Sequence, residues 1–144
     1  MTAVSQRRIC APVGAVQAVL SDGWLWAGWV VGATHIRDVD ESWPRVGARL
    51  HHRVGAWPVT ISDHTEVLAA EPEKLLALRV RAWPAGEGEV RLELRADGDG
   101  TVVVMREKPT SGPVRLLPGL AVNWLLRARN RESLARLASI AERR

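Results

Sequence analysis

The chain has one cysteine, two lysines, no phenylalanine and no tyrosine among its 144 residues, and each shortage closes a route to function. A lone Cys10 excludes an internal disulfide and any site built on several thiolates. Its expected place is that of a small buried residue at a strand end. Without tyrosine, no mechanism can use a phenol as acid, base or oxyanion donor. Long apolar runs are missing as well. The densest, Trp24 to Ala33, falls far short of the roughly 20 residues that a membrane-spanning helix needs. Arg7 and Arg8 have no apolar stretch behind them, so neither a secretory leader nor a membrane anchor is expected, and the cytoplasm is the expected compartment. Zinc-ligand spacing, a nucleophile elbow, a phosphate loop and a dinucleotide glycine pattern are all absent, so neither a metal nor a cofactor is expected.

What is present is arginine, valine, alanine and tryptophan. The net charge is +4 and the pI about 10.5, with Lys74 and Lys108 the only lysines. The arginines are spread along the chain, often beside Glu or Asp, which reads as solubilising charge; nucleic acid is not an expected partner. At 15.8 kDa the chain is expected to form one domain over residues 1–144, with enough length to bury a core.

The punctuation predicts an α+β order. Val4 to Cys10 reads as a strand, closed by Ala11-Pro12, where proline suits a helix's first turn. Val13 to Leu20 reads as a short helix, and Trp24 to Ala33 as a second short helix or an ordered loop. Strands follow over Thr34–Val39, Ala48–Val54, Val59–Leu68, Leu75–Trp83, Glu89–Arg95 and Thr101–Glu107, separated by Pro, Gly and Asp turns. Asp97-Gly98-Asp99-Gly100 is a strong hairpin signal. The chain ends in one long helix, Leu120 to Glu142.

Alternation assigns faces. Val90, Leu92 and Leu94 oppose Glu89, Arg91, Glu93 and Arg95, and Leu76, Leu78 and Val80 oppose Arg79 and Arg81. On the last helix Val122, Leu126, Leu137, Ile140 and Ala141 share a side with Ser133, Asn123 and Asn130, whereas Arg129, Arg131, Glu132 and Arg136 lie outside it. A lone terminal helix buries such a side by lying across a curved sheet, and the space between them is a natural ligand cavity.

This order resembles the helix-grip fold of the START-like (SRPBCC) superfamily, in particular its bacterial polyketide cyclase/dehydrase-like members. The resemblance spans nearly the whole chain. It rests on Ile9-Cys10-Ala11-Pro12 before Val16, Trp29-Val30-Val31-Gly32, Trp43-Pro44 with Gly47 and His51-His52, Glu66-Val67-Leu68 before Pro72, Gly100-Thr101-Val102 with Glu107, and Arg129-Asn130 before Leu134. It implies a curved antiparallel sheet of about seven strands around the terminal helix, two short helices after the first strand, and a cavity for lipids, polyketides or quinone-like molecules. It also implies that the Arg129-Asn130 pair offers Asn130 to that cavity.

Candidate residues follow from both readings. His51 and His52 leave their strand on opposite faces and so cannot share a metal. His52 follows Leu50 and Val54 inward, where it could shuttle a proton or sit as a hydrogen-bonded core imidazole. Glu107, read as the end of the last strand, could act as a base or pair with a strand arginine. Trp24, Trp26 and Trp57 are expected at the rim, and Asn123, Leu126 and Asn130 on the helix wall. Trp29 reads as core packing, and Trp43 and Trp83 as turn anchors. Trp124, on the polar side of the helix, points to a homodimer contact or to packing of the preceding loop. Two functions stay open: a binding protein for a hydrophobic small molecule, and a cyclase or dehydrase in which His52 or Glu107 moves a proton.

Overall fold

A computed structural model describes residues 2–31, 33–56, 59–82 and 86–143. Trp57 and Trp83 lie outside the described residues. Strand β1 (Ala3–Ile9) is followed by helix α1 (Val13–Ser21), a 3-10 turn at Gly23–Leu25 and the short helix α2 (Trp26–Trp29). Six strands come next: β2 (Ala33–Val39), β3 (Arg49–Ala56), β4 (Val59–Glu71), β5 (Leu75–Ala82), β6 (Gly86–Asp97) and β7 (Gly100–Ser111). A 3-10 turn at Pro113–Leu116 leads into α3 (Gly119–Glu142).

The strands form one antiparallel sheet in the order β1-β7-β6-β5-β4-β3-β2. Only β1 is out of sequence order, because α1 and α2 carry the chain across one face before β2 begins at the far edge. Helix α3 lies against β1 and β7, with α1 and α2 beside it. This is the expected helix-grip architecture.

Alternation builds the inner face. Val90, Leu92 and Leu94 of β6 are buried, as are Leu76 and Leu78 of β5, while Arg79, Arg91 and Arg95 are exposed. From α3 come Leu134, Leu137, Ala138 and Ala141, and from α1 Val16, Val19 and Leu20. Each fully buried Leu or Val contributes about 1.5–3 kcal/mol, so this layer anchors the carboxy-terminal half of α3. A last tie is polar: the Cys10 backbone N–H donates to Glu142 Oε2 over 2.9 Å.

Several strands overrun their sequence signals. β4 continues to Glu71, β6 begins at Gly86, and β7 runs past Glu107 to Ser111. Gly86 makes the β6 extension possible, because a Cβ there would sit 1.9 Å from the Ser111 carbonyl oxygen and its φ is +122°. Pro109 hid the extension of β7. It pairs with Gly88 beside a register shift at Glu87/Gly88, a place where a missing N–H is tolerated. Glu107 is therefore an interior strand residue, paired with Val90 on one side and Ala3 on the other.

One further expectation is corrected. Cys10 is exposed, since β1 ends at Ile9 and the next residue turns out of the sheet. Trp43 does anchor its turn, and it does so from within the core. Its indole is buried in the core 5.8 Å from that of Trp26, and its Nε1–H donates to the Leu20 carbonyl over 3.1 Å.

Candidate functional site: a cavity between sheet and helix

Between the sheet and the helices lies a cavity of about 60 Å³. Its apolar wall comes from Trp26 and Trp29 of α2, Val30 just beyond, Val80 of β5, Val90 of β6 and Met105 of β7. Polar side chains enter from opposite sides: His52 and Glu107 from the sheet, Arg129, Asn130 and Ser133 from α3. Arg81 lies at the edge, held outward by Glu87 at 3.1 Å and Asp63 at 3.7 Å.

α2 delivers two indoles because it is a single tight turn. Asp22 Oδ1 accepts from the Trp24 N–H at 3.2 Å and so starts the 3-10 turn that precedes it. Trp26 and Trp29 then stand three residues apart on one face, edge to face at 4.8 Å between ring centroids. Trp29 thus does more than fill the core. Its Nε1 is buried with no hydrogen-bond partner among the described residues.

Asn130 is in the same position twice over. It is fully buried, and neither its amide oxygen nor its amide nitrogen has a partner there. Ser133, one turn on, is satisfied: its Oγ accepts from the Val31 N–H at 3.1 Å.

His52 faces inward from β3, and its Nε2 meets Thr65 Oγ1 of β4 at 2.8 Å. Burial lowers its pKa to about 4, so the imidazole is neutral at pH 7. Its Nδ1, also buried, has no partner among the described residues. That atom accepts a hydrogen bond if Nε2 donates to Thr65, and donates one if Nε2 accepts.

Glu107 is buried on β7, and Arg129 Nη2 contacts both of its carboxylate oxygens. Burial raises the carboxyl pKa above its ordinary 4.5, and the guanidinium opposes that rise. The partner is thus an arginine of the helix, not of a neighbouring strand. Arg129 itself stays partly exposed, with 39% of its side chain accessible.

Of the eight residues singled out from sequence, four line this cavity: His52, Glu107, Trp26 and Asn130. Trp24 does not. It is 59% exposed and borders a surface depression with Asp22 and Val39. Asn123 and Leu126 are half-buried and also off the cavity wall. Asn123 shares a helical side with Asn130 but stands seven residues earlier, about 10 Å along the axis and beyond the cavity's reach. Trp57 lies outside the described residues. Alternation puts Val80 on the inner face and Arg81 on the outer one, the helical wheel sets Arg129 only at the edge, and no sequence signal marks Met105. Nothing local marks an arginine that pairs with a carboxylate 22 residues earlier.

An antiparallel sheet gripping a carboxy-terminal helix around a partly polar hollow defines the helix-grip class of folds. By sequence, residues 1–142 match the family described as polyketide cyclase / dehydrase and lipid transport, and the chain belongs to that family. No curated protein sequence matches it. Solved structures share the fold. Protein NE0264 from Nitrosomonas europaea is similar with a TM-score of 0.77 at 17% identity, covering 99% of this chain and 95% of that one. The ZhuI aromatase/cyclase from Streptomyces sp. R1128 gives 0.73 at 16%, covering 100% and 94%. Ara h 8.0201 gives 0.75 at 12%, covering 100% and 99%.

Proposed function

We propose that this protein binds a small, uncharged, mainly apolar molecule of the polyketide, lipid or quinone-like kind, holding its carbonyl- or hydroxyl-bearing end between the sheet and α3. One observation carries this reading: Trp29, Asn130 and His52 bring four buried polar atoms without a partner among the described residues to the same cavity, two of them from Asn130. Each such atom costs about 1–3 kcal/mol when left unsatisfied. Four such atoms on one hollow are accounted for by a ligand that supplies both an acceptor and a donor. A neutral His52 and an Arg129-neutralised Glu107 leave no net charge to attract an ion.

The size of the hollow constrains the ligand. At about 60 Å³ it is well below the roughly 300 Å³ of common ligand pockets. It takes the polar end of the molecule, and the remainder extends past Arg81 and Arg129. Tryptophan fluorescence tests this directly, since Trp26 and Trp29 form the wall. Titration with a small quinone, a hydroxylated naphthalene and a saturated fatty alcohol should change the emission for at least one. An unchanged signal for all three, with no small molecule carried by the protein in native mass spectrometry, would sink the proposal.

A second reading, cyclase or dehydrase chemistry, draws on the open Nδ1 of His52 and on the family's description. In it a neutral His52 takes a proton from a bound carbonyl compound, and Glu107 anchors Arg129 beside the reacting group. Loss of turnover with retained binding in His52→Gln would support it.

A further inference from the structure

The outer side of α3 changes character along its length. From Arg131 onward its exposed positions are Arg131, Glu132, Arg136, Ser139, Glu142 and Arg143, as expected of a solvated helix face. Over the preceding three turns the exposed side chains are apolar apart from Arg127. Leu120 is 88% exposed and Trp124 70%, with Leu125, Ala121 and Ala128 beside them. Just before the helix, Leu116 is 87% exposed and Leu117 is exposed as well. Four leucines and a tryptophan in water form a patch that a solitary soluble domain has no folding reason to keep.

Charge indicates what covers it. Between Glu107 and Glu132 the sequence contains no acidic residue, while Lys108, Arg115, Arg127, Arg129 and Arg131 all fall there. Arg127 and Arg131 border the apolar positions on one side of the helix, and Arg115 sits in the turn before Leu116. An amphipathic segment with leucine and tryptophan on its exposed face and arginines along its margin matches the interface of an anionic bilayer. A second copy of this chain is a poorer match. A two-fold contact through the same patch sets arginines against arginines, and a face formed by the outside of one helix offers no groove for itself.

We infer that residues 115–131 dock this protein onto anionic lipid surfaces, with Leu116, Leu120 and Trp124 entering the headgroup region and the arginines meeting lipid phosphates. Among the described residues no helix is long and apolar enough to span a membrane, so the association is peripheral. The inference stands on the surface alone and does not require the ligand proposed above.

Flotation of the full chain with phosphatidylcholine vesicles, with and without about 30 mol% phosphatidylglycerol, tests it. Binding is expected only with the anionic lipid, to weaken as salt is raised, and to fall roughly tenfold or more in L120S/W124S. All these positions are exposed, and circular dichroism checks that the variant folds. Quenching of tryptophan emission by brominated anionic lipid in the unaltered protein, lost in W124F, gives a second readout free of any folding defect. Failure to float with either vesicle overturns the inference. So does undiminished flotation of the variant, or a dimer in solution that L120S/W124S dissociates. Binding of the same patch to an acidic protein or RNA in the absence of any vesicle binding also overturns it.

Discussion

Arg129 on α3 sets its Nη2 against both carboxylate oxygens of Glu107 on β7, so that helix and sheet are clasped by one ion pair at the edge of the cavity. The two partners are unequal. Glu107 is buried, whereas Arg129 reaches water. Removing the arginine therefore strands a buried carboxylate, and removing the carboxylate leaves an arginine free to turn outward. Arg129→Leu is expected to cost about 3–5 kcal/mol at neutral pH, and Glu107→Gln no more than about 1 kcal/mol. Urea unfolding measures both, and equal losses would refute the asymmetry.

The same pair sets a sign for pH dependence. Burial raises the native pKa of Glu107 above 4.5, so the folded protein holds a proton that the unfolded chain has already released. Stability from this group consequently falls as pH rises from 4.5 through the raised native value. In Arg129→Leu the opposing guanidinium is gone, the native value climbs further, and the loss extends to higher pH. Acidification should partly rescue that variant; a rescue equally large in Glu107→Gln would assign the effect elsewhere.

His52 acts in the opposite sense. Its native pKa of about 4 lies below the ordinary 6.5, so the unfolded chain takes up a proton that the folded state refuses. The stability it contributes is complete above pH 6.5 and is lost as pH falls toward 4, by roughly 3 kcal/mol in all. His52→Gln should flatten the stability profile between those limits. Since Glu107 slopes the other way from 4.5 upward, the difference between variant and parent is the quantity to plot. No difference across that window would mean that His52 is protonated in the folded protein.

Much of this was legible in the sequence, for a physical reason: period-two alternation on β5 and β6 and a one-sided terminal helix leave few ways to bury both. The ends of the strands were not legible. Gly86, Gly88 and Pro109 carry no apolar signal, yet Gly88 pairs with Pro109 across β6 and β7, and Gly86 pairs with Ala82 of β5. Asn130 was visible because it is an amide among apolar helix positions. Asn123 looked equivalent by angle alone, and distance along the axis separates the two. Arg129 was obscured because a helical wheel sorts by polarity, and its carboxylate partner lies on a strand.

Asn130 offers a test in which stability and function move apart. Its two buried amide atoms have no partner among the described residues, so Asn130→Leu removes an unsatisfied group of similar size. The variant should be more stable than the parent by about 1–3 kcal/mol. Binding of whichever panel member perturbs tryptophan emission should weaken roughly tenfold or more, a loss worth one or two hydrogen bonds. A variant that is destabilised instead would show that the amide is satisfied in solution without any ligand.

Met105 tests whether cavity volume sets ligand size. It is buried on β7 and forms part of the apolar wall, so Met105→Ala should enlarge the hollow at a cost of about 2–5 kcal/mol. Larger space with the same polar contacts predicts a reversal of preference. The parent ligand should bind less tightly to the variant, and a homologue carrying a few more carbons near its polar end should bind more tightly. Fluorescence titration of both ligands against both proteins gives the four affinities needed. If the ranking stays fixed while stability falls, the methionine is packing that no ligand touches, and the polar end of the molecule lies elsewhere.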